Sequence, residues 1–347
     1  MENQTINNEV NFKVCIRCLT YNHHKYIRDT LNGFVKQQTN FPFIALVVDD
    51  ASTDGAQEVI KAYIDEQFNI DDTDVAYTRE TDYAYITFAQ HKFNLNCYVV
   101  VLYLKFNHYQ IKKKKVPYLY EWRKQVKYEA LCEGDDFWID PLKLQKQVEY
   151  LDQRPDVGLI HTAYHIVGED SKILSKDEIP DLYRRLTSDC SVGYIYDRLF
   201  NHPSSILTCT ILYRIEMNDV KIDHDLFMQV AKKYKIAYIN DITSCYRILP
   251  TSMMRSRKEE VNLMLFDTIS MHMLKYYQGD EEINSFYNQS ELKKEVDLFF
   301  SKYITYYIRN RKFSEIPFKT IFKLLLKRPR LLFVTPCNII KRLCLSI

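Results

Sequence analysis

The first part of the chain alternates short apolar runs with amphipathic segments. Residues 12–20 (FKVCIRCLT) and 41–48 (FPFIALVV) are typical of buried strands. Residues 21–38 and 55–67 carry apolar side chains at helical spacing, with Asn22 expected to cap the first helix. Apolar strands that alternate with helices predict βαβ units, and therefore an α/β fold with a Rossmann-like, mostly parallel sheet flanked by helices.

The middle of the chain gives weaker signals. We expect a helix around 83–94 (YAYITFAQHKFN) and a buried run from Cys97. Lys112–Lys115 form a lysine run that is either a solvated loop or a contact for an anionic ligand. Asp140 followed by Pro141 predicts the start of another helix.

Later segments complete the predicted organisation. Residues 157–167 and 204–214 predict further strands, and the pattern is helical from about Thr251 to the end. We therefore expect an α/β domain over 1–250 and a C-terminal α-helical subdomain over 251–347.

Composition indicates a globular protein. Hydrophobic residues make up 46% of the 347-residue chain, and the net charge is +2. The longest apolar run, 97–104, is too short to cross a bilayer, and residues 1–10 lack the apolar segment of a signal peptide. The nine cysteines have no framework spacing, which predicts reduced, buried thiols and a cytoplasmic location.

Acidic residues gather where a short apolar run ends, in EALCEGDDFW. In an extended segment Glu133 and Asp135 lie on one side, while Asp136 lies on the other. Two carboxylates on one side suit Mn²⁺ or Mg²⁺ that is held together with phosphate oxygens of a substrate. The alternative is a solvated acidic turn.

A second acidic stretch, DDASTDG, follows the strand at 41–48. It is not a calcium loop, because Lys61 stands where such a loop needs glutamate. Asp49 or Asp50 would instead accept hydrogen bonds from a base N–H or a ribose hydroxyl.

Taken together, VCIRCLTYNHHKYI, VVDDASTDG and CEGDDFWIDPLKLQKQV resemble the donor-binding half of a family 2 glycosyltransferase with the A-type nucleotide-diphospho-sugar transferase fold. The resemblance is to members from bacterial surface-polysaccharide clusters. It covers residues 12–64 and 128–165 closely and 205–250 more loosely. The resemblance implies a catalytic domain over 1–250, in which residues 12–165 would bind the donor and residues 166–250 would form the acceptor side.

The resemblance implies a metal-dependent, inverting transfer of a hexosyl or N-acetylhexosaminyl group from a nucleotide-diphospho-sugar, usually a UDP-sugar. The donor site it implies would be formed by Thr20, Tyr21, Asn22, Asp49, Asp50, Glu133, Asp136 and Arg247. Asp135 would ligate Mn²⁺ or Mg²⁺. For Arg247 the alternative is a surface arginine at a strand end.

The resemblance leaves the catalytic base open between Asp223 and Asp225, in KIDHDLFMQVA. Asp223 matches the family's base by position and is expected to precede a helix that Asp225 caps. Two departures are notable. Glu133 replaces the usual aspartate, and residues 68–127 form a longer connection than is usual.

Three other functions remain as alternatives. A nucleotidyltransferase shares the sheet and the metal carboxylates, but it usually needs a Gly-rich phosphate loop that CLTYNHHKYI lacks. A glycosidase also uses paired carboxylates, but it needs no nucleotide site. A degenerate nucleotide-sugar-binding protein would keep the fold without turnover. No nucleic-acid partner is expected.

The C-terminal region is strongly basic. Residues 302–347 hold eleven Lys and Arg and one acid, Glu315. If 316–330 is helical, Lys319, Lys323 and Lys327 form a basic stripe beside apolar residues, which suits an anionic membrane surface. The alternative is a helix packed on the catalytic domain. A peripheral position on the inner face of the cell membrane would bring the protein to a glycan or lipid-linked acceptor.

Overall fold

The computed structural model describes residues 10–174, 206–215 and 223–250, with six further positions between 322 and 336. The chain divides into two compact units, Met1–Val192 with Ser204–Ile248, and Gly193–Pro203 with Leu249–Ile347. Most of the predicted C-terminal helical subdomain lies outside the described residues. Phe322, Leu325, Leu326 and Leu332 are described as helical.

Ten described strands form one sheet. They are β1 (Val14–Thr20), β2 (Phe43–Asp49), β3 (Ala76–Glu80), β4 (Ala84–Gln90), β5 (Cys97–Leu104), β6 (Tyr128–Leu131), β7 (Phe137–Trp138), β8 (Val157–Val167), β9 (Leu212–Arg214) and β10 (Lys235–Arg247). The described α-helices are α1 (Ile27–Val35), α2 (Ala56–Gln67), α3 (Tyr120–Arg123), α4 (Lys143–Gln153) and α5 (Asp223–Lys233). Short 3-10 helices span Val116–Leu119 and Thr208–Thr210.

The strand order is β3-β4-β5-β2-β1-β6-β9-β8-β10-β7. Strands β5, β2, β1 and β6 are consecutive parallel neighbours, and β8 is parallel to β10. The hairpin β3–β4 and the short strands β7 and β9 pair antiparallel. The α/β prediction is therefore confirmed, with a sheet that is more mixed than expected. Its central parallel strands end at a common edge, where polar loops collect.

The central strands are apolar because both of their faces are covered. Every residue of β2 and of β5 is buried. Within β1, Cys18 belongs to the core on one face of the sheet and Cys15 to the core on the other. Cys15 and Cys18 therefore face opposite sides of the sheet, and both thiols are free and buried, as predicted for the cysteines. The loops between these strands are thus mounted on a rigid base.

The predicted helix at 83–94 is wrong. Residues Ala84–Gln90 form β4, which pairs with β3 on one side and β5 on the other. Burial along β4 largely alternates, since Ala84, Ile86 and Phe88 are buried while Tyr85 is exposed. A short apolar segment with aromatic residues is compatible with both helical and strand periodicity. Here pairing with the edge of β5 favours the strand.

Two predicted helix starts lie too early. Asn22 does not cap α1, because α1 begins at Ile27 and Asn22 adopts a left-handed backbone conformation with φ of 58°. The helix α4 begins at Lys143, and the Asp140 carboxylate accepts the backbone N–H of Leu142 at 2.8 Å. In both places the polar residue organises the preceding turn rather than the first helical residue.

Lys143 is buried at the start of α4. Its ammonium donates to Gln147 Oε1 at 2.6 Å and to the Thr210 carbonyl at 3.1 Å, and lies 4.8 Å from the centre of the Trp138 ring. Desolvation lowers the pKa of Lys143 to about 7. The folded protein therefore releases this proton far more readily than an unfolded chain does.

We expect Lys143→Met to flatten the dependence of stability on pH. Unfolded lysine has a pKa of about 10.4, so between pH 7 and 9 only the unfolded chain stays protonated, and stability rises with pH. The slope from this one group is at most about 1.4 kcal/mol per pH unit. Urea unfolding at pH 7, 8 and 9 gives the free energy of unfolding at each pH and therefore the slope. Lys146→Met, on the same helix, should retain the wild-type slope. Equal slopes for the wild type and Lys143→Met would contradict the prediction.

Candidate active site

The ends of β1 and β2 lie side by side and form the first part of the site. Thr20 is in register with Asp49. The Asn22 backbone N–H donates to Ser52 Oγ at 2.9 Å, and Asn22 Oδ1 accepts the Thr53 backbone N–H at 2.8 Å. These reciprocal bonds hold the two loops together, with Tyr21 partly exposed between them.

Asp49 and Asp50 differ in their hydrogen-bond partners. Asp49 is buried and accepts the Ser52 N–H at 2.9 Å and the Gln57 side-chain amide at 2.6 Å. Asp50 accepts the backbone N–H of His108 at 2.7 Å and the Lys115 ammonium at 2.7 Å. Asp49 therefore shapes its own turn, while Asp50 anchors the loop that follows β5.

Lys115 is a site residue that the sequence prediction did not single out from the lysine run. It is partly buried, pairs with Asp50, and its charge also lowers the pKa of Glu133. Lys112, Lys113 and Lys114 are exposed. The lysine run therefore contains one lysine that pairs with a candidate site residue and three that are exposed to solvent. Only the ion pair with Asp50 distinguishes Lys115 from the other three.

The acidic loop after β6 packs tightly against the end of β1. The Gly134 N–H donates to the Leu19 carbonyl at 3.0 Å. A Cβ on Gly134 would lie 2.3 Å from Thr20 Oγ1 and 3.0 Å from His23 Nδ1. No other residue fits without a shift of the chain, so glycine at this position allows Glu133 and Asp135 to lie against β1.

Asp135 and Asp136 have different surroundings. Asp136 is buried, and its carboxylate accepts the Arg247 backbone N–H at 2.8 Å. Burial raises the pKa of Asp136. The Asp135 side chain is partly exposed, and its Oδ2 lies 3.9 Å from His23 Nε2. Asp135 is thus the more accessible of the two to a ligand, and Asp136 fixes the loop.

Glu133 lies among charges that come from several elements. Desolvation first, and then the negative charge of Asp223, raise the pKa of Glu133 to about 8, while Arg17 and Lys115 oppose this shift. Desolvation also raises the pKa of Asp223, and Arg17 opposes it. Asp223 retains exposed surface, yet the surrounding protein weakens its hydration. The structure thus brings Asp223 of α5 towards the acidic loop.

Asp223 is the first residue of α5, two residues earlier than the sequence prediction expected. A carboxylate in the first turn is favoured by the unpaired N–H groups and the helix dipole. The side chain of Asp225 lies outside the described residues, although its backbone belongs to the same helix.

Arg247, at the end of β10, lies beneath the acidic loop. Its Nε donates to the Asp135 carbonyl at 2.8 Å. Other guanidinium bonds reach Ser171 Oγ at 2.7 Å and Asp29 Oδ2 at 3.1 Å, and the group lies over the ring of Tyr26. The residue is buried, so it is not a surface arginine. In this arrangement it holds the loop in place rather than being directed at a diphosphate.

A buried ion network under the site was not predicted. Glu129 Oε1, on β6, forms an ion pair with Arg17 Nε at 2.8 Å. Glu129 Oε2 accepts hydrogen bonds from Arg123 Nε at 2.8 Å and from the Tyr213 hydroxyl at 2.7 Å. The only sign of this network in the sequence is one charged residue within each of two apolar strands, Arg17 in β1 and Glu129 in β6. The network places the positive Arg17 behind Glu133 and Asp223.

A cavity of about 860 Å³ lies elsewhere. It is lined by Gln38, Thr39, Phe93, Asn94 and Ile139, among others, near the amino-terminal ends of β2 and β5. None of the predicted site residues lines it. The chemistry therefore concentrates at the opposite, carboxyl-terminal edge of the sheet.

The carboxylates fit a divalent cation that shares its ligands with a substrate. Within residues 10–174, 206–215 and 223–250, no three His, Cys, Asp or Glu side chains form a metal cluster. A protein-only cage is therefore not formed there. Glu133, Asp135 and Asp223 nevertheless concentrate negative charge that a cation would relieve. Mg²⁺-type sites commonly use one or two carboxylates and complete the shell with phosphate oxygens and water.

Comparison with known proteins gives a family match over part of the chain. Residues 16–82 match the model of glycosyl transferase family 2. An uncharacterized protein of Mycobacterium tuberculosis is 31% identical over 238 residues, which are 66% of this chain and 57% of the relative. TuaG of Bacillus subtilis, provisionally named a teichuronic acid biosynthesis glycosyltransferase, is 26% identical over 70% of this chain and 82% of its own. Residues 16–82 of the chain are therefore similar to glycosyl transferase family 2.

The chain spans somewhat more than half the length of the mycobacterial relatives it matches. Among solved structures, TarS of S. aureus in complex with UDP-GlcNAc has a TM-score of 0.48 and 15% identity, covering 94% of this chain and 83% of TarS. The mannosyltransferase PcManGT from Pyrobaculum calidifontis, in complex with GDP-Man and Mn2+, has a TM-score of 0.49 and 12% identity, covering 96% and 86%. At these values neither structure bears on the substrate of this chain.

Proposed function

We propose that this protein is a metal-dependent, inverting glycosyltransferase that moves a sugar from a nucleotide-diphospho-sugar, a UDP-sugar, to a hydroxyl group. The observation that carries the proposal is the acidic loop with Glu133 and Asp135, which packs through Gly134 against the joined ends of β1 and β2. The negative charge of Asp223 acts on Glu133 of this loop. The match of residues 16–82 to glycosyl transferase family 2 supports the same activity.

Each part of the site has a role in this proposal. Thr20, Tyr21 and Asn22 would line the nucleoside pocket, with Asp49 shaping the adjoining turn. Asp50 and Lys115 would border the base. Bound Mn²⁺ or Mg²⁺ would neutralise charge on the leaving diphosphate. Asp135, with Glu133 beside it, would hold that ion, while Asp136 and Arg247 keep the acidic loop in place.

Asp223 would act on the acceptor side. In an inverting transfer, the acceptor hydroxyl attacks the anomeric carbon from the face opposite the leaving group. A carboxylate on that side takes the hydroxyl proton as the new bond forms. Asp223 comes from α5, a later element than the acidic loop, and desolvation strengthens it as a base by raising its pKa.

The acceptor is proposed from chemistry and from relatives. The name of the Bacillus relative refers to teichuronic acid biosynthesis, which supports a glycan or lipid-linked acceptor in surface-polysaccharide synthesis. The basic C-terminal region would hold the protein peripherally on the inner face of the membrane, with the catalytic domain in the cytoplasm. Among the described residues, no helix is long and apolar enough to cross a bilayer.

A panel of nucleotide sugars, with and without Mn²⁺, tests the donor in a thermal-shift experiment. A ligand that binds only the folded state stabilises it by about 2.7 kcal/mol at one hundred times its dissociation constant. We expect the largest shift from one UDP-sugar with Mn²⁺, followed by metal-dependent hydrolysis of that donor. A shift without hydrolysis or transfer would favour a degenerate binding protein. Incorporation of sugar 1-phosphate with release of pyrophosphate would favour a nucleotidyltransferase.

A further inference from the structure

The loop that follows β5 exposes apolar and basic side chains together. Phe106, Tyr109 and Ile111 are 60%, 52% and 51% exposed. Lys112, Lys113 and Lys114 follow directly and are all exposed. Residues 105–115 contain five lysines and no acid. We call residues 106–114 the basic-apolar loop.

The basic-apolar loop is held firmly at its base. The carboxylate of Asp50 accepts the N–H groups of His108 and Tyr109, at 2.7 and 3.2 Å, and the Lys115 ammonium. The His108 side chain is buried, and its Nε2 lies 3.1 Å from the Tyr118 hydroxyl. The exposed side chains therefore project from an ordered turn rather than from a loosely attached segment.

The loop also occupies a defined edge of the sheet. It follows the carboxyl end of β5, where Tyr103 is in register with Asp49 of β2. The candidate active site lies at the same edge. A surface bound by the loop would consequently lie beside the site, and not at the opposite edge, where Phe93 and Leu95 precede β5.

We propose that the basic-apolar loop docks on an anionic lipid bilayer. Lysines near such a surface are attracted to its negative potential, and exposed phenylalanine and isoleucine gain by entering the interfacial region. A soluble phosphate or nucleotide would use the charge but leave Phe106 and Ile111 in water. Among the described residues, no ion pair occupies Lys112, Lys113 or Lys114.

This loop and the C-terminal basic region are different segments of the chain, and the docking itself does not depend on glycosyl transfer. Its use would depend on the proposed function, since it would bring the carboxyl edge of the sheet to a membrane-bound acceptor. The two lysine clusters can be tested independently because each contains three lysines that can be replaced by glutamine.

Co-sedimentation of the full chain with vesicles of phosphatidylcholine alone, or with phosphatidylserine added, tests the loop. In a charge variant, Lys112, Lys113 and Lys114 become Gln; in an apolar variant, Phe106 and Ile111 become Ser. We expect each to lower partitioning onto anionic vesicles at least tenfold, with little binding of any form to neutral vesicles. The matched apolar control is Phe93→Ser with Leu95→Ser, at 85% and 64% exposure, which should bind like the wild type.

Other outcomes would overturn the proposal. Wild-type binding by both loop variants would do so, and loss confined to Lys319→Gln, Lys323→Gln and Lys327→Gln would assign docking to the C-terminal region alone. Equal loss in the control variant would mean that any exposed apolar pair suffices. If the loop variants bind vesicles normally but lose affinity for a soluble anionic polysaccharide, the loop is a glycan contact. Donor-induced thermal shifts, measured on the same samples, report the proposed function separately.

Discussion

Replacing Asp223 by Asn is expected to lower turnover by roughly 10²–10⁴-fold, with donor affinity nearly unchanged. The amide has the size of the carboxylate but cannot take the proton of the acceptor hydroxyl. Asp223 begins α5, and its charge is felt by Glu133 of the acidic loop. Initial rates of sugar transfer at saturating donor, together with the donor-induced thermal shift, measure the two quantities separately.

Asp225→Asn is the matched control, since it makes the same chemical change two residues further along the same helix. We expect this variant to retain turnover and to melt at a lower temperature, because a carboxylate is lost from the first turn. If Asp225→Asn is folded but inactive while Asp223→Asn stays active, the base has been assigned to the wrong residue.

The second large effect is expected at the acidic loop. Asp135→Ala should abolish the part of UDP-sugar binding that depends on Mn²⁺, because it removes an accessible carboxylate from the proposed metal position. The melting temperature without ligands should change little, since the Asp135 side chain is partly exposed. Calorimetric titration of the UDP-sugar, with and without Mn²⁺, gives the metal-dependent difference in affinity.

Asp136→Ala gives the contrasting result. Its carboxylate is buried and accepts the Arg247 N–H, so its loss should lower the free energy of unfolding by about 1–3 kcal/mol. Asp135→Ala with wild-type affinity for the UDP-sugar in the presence of Mn²⁺ would show that Asp135 is not a metal ligand.

The sequence predicted the parts of the fold that repeat a simple pattern. β1, β2, α2 and β8 lie where apolar periodicity indicated, because burial on one or both faces determines which residues can occupy those positions. The helix prediction for residues 84–90 was wrong because it considered only neighbouring residues, whereas the pairing partners of this segment are the separate strands β3 and β5. Pairing with these neighbours decided between helix and strand.

The candidate site shows the same division. Glu133, Asp135 and Asp50 could be proposed from the sequence because acids at strand ends are conspicuous beside apolar segments. The link between Asp50 and Lys115 joins residues 65 positions apart, and that between Arg17 and Glu129 joins neighbouring strands. Nothing local distinguishes Lys115 from the lysines before it. The sequence indicated that Arg247 lies at the end of a strand. Its hydrogen bond to the Asp135 carbonyl depends on tertiary packing.

The close contact at Gly134 has a consequence for protein engineering. Because Thr20 and His23 leave no room for a side chain there, the acidic loop and the segment after β1 are shaped for each other. If CEGDD from this chain were grafted into a distant homologue, the loop would lack the Thr20 and His23 side chains against which it packs here. A chimera meant to exchange metal preference should therefore carry residues 20–23 together with 132–136, as a single cassette.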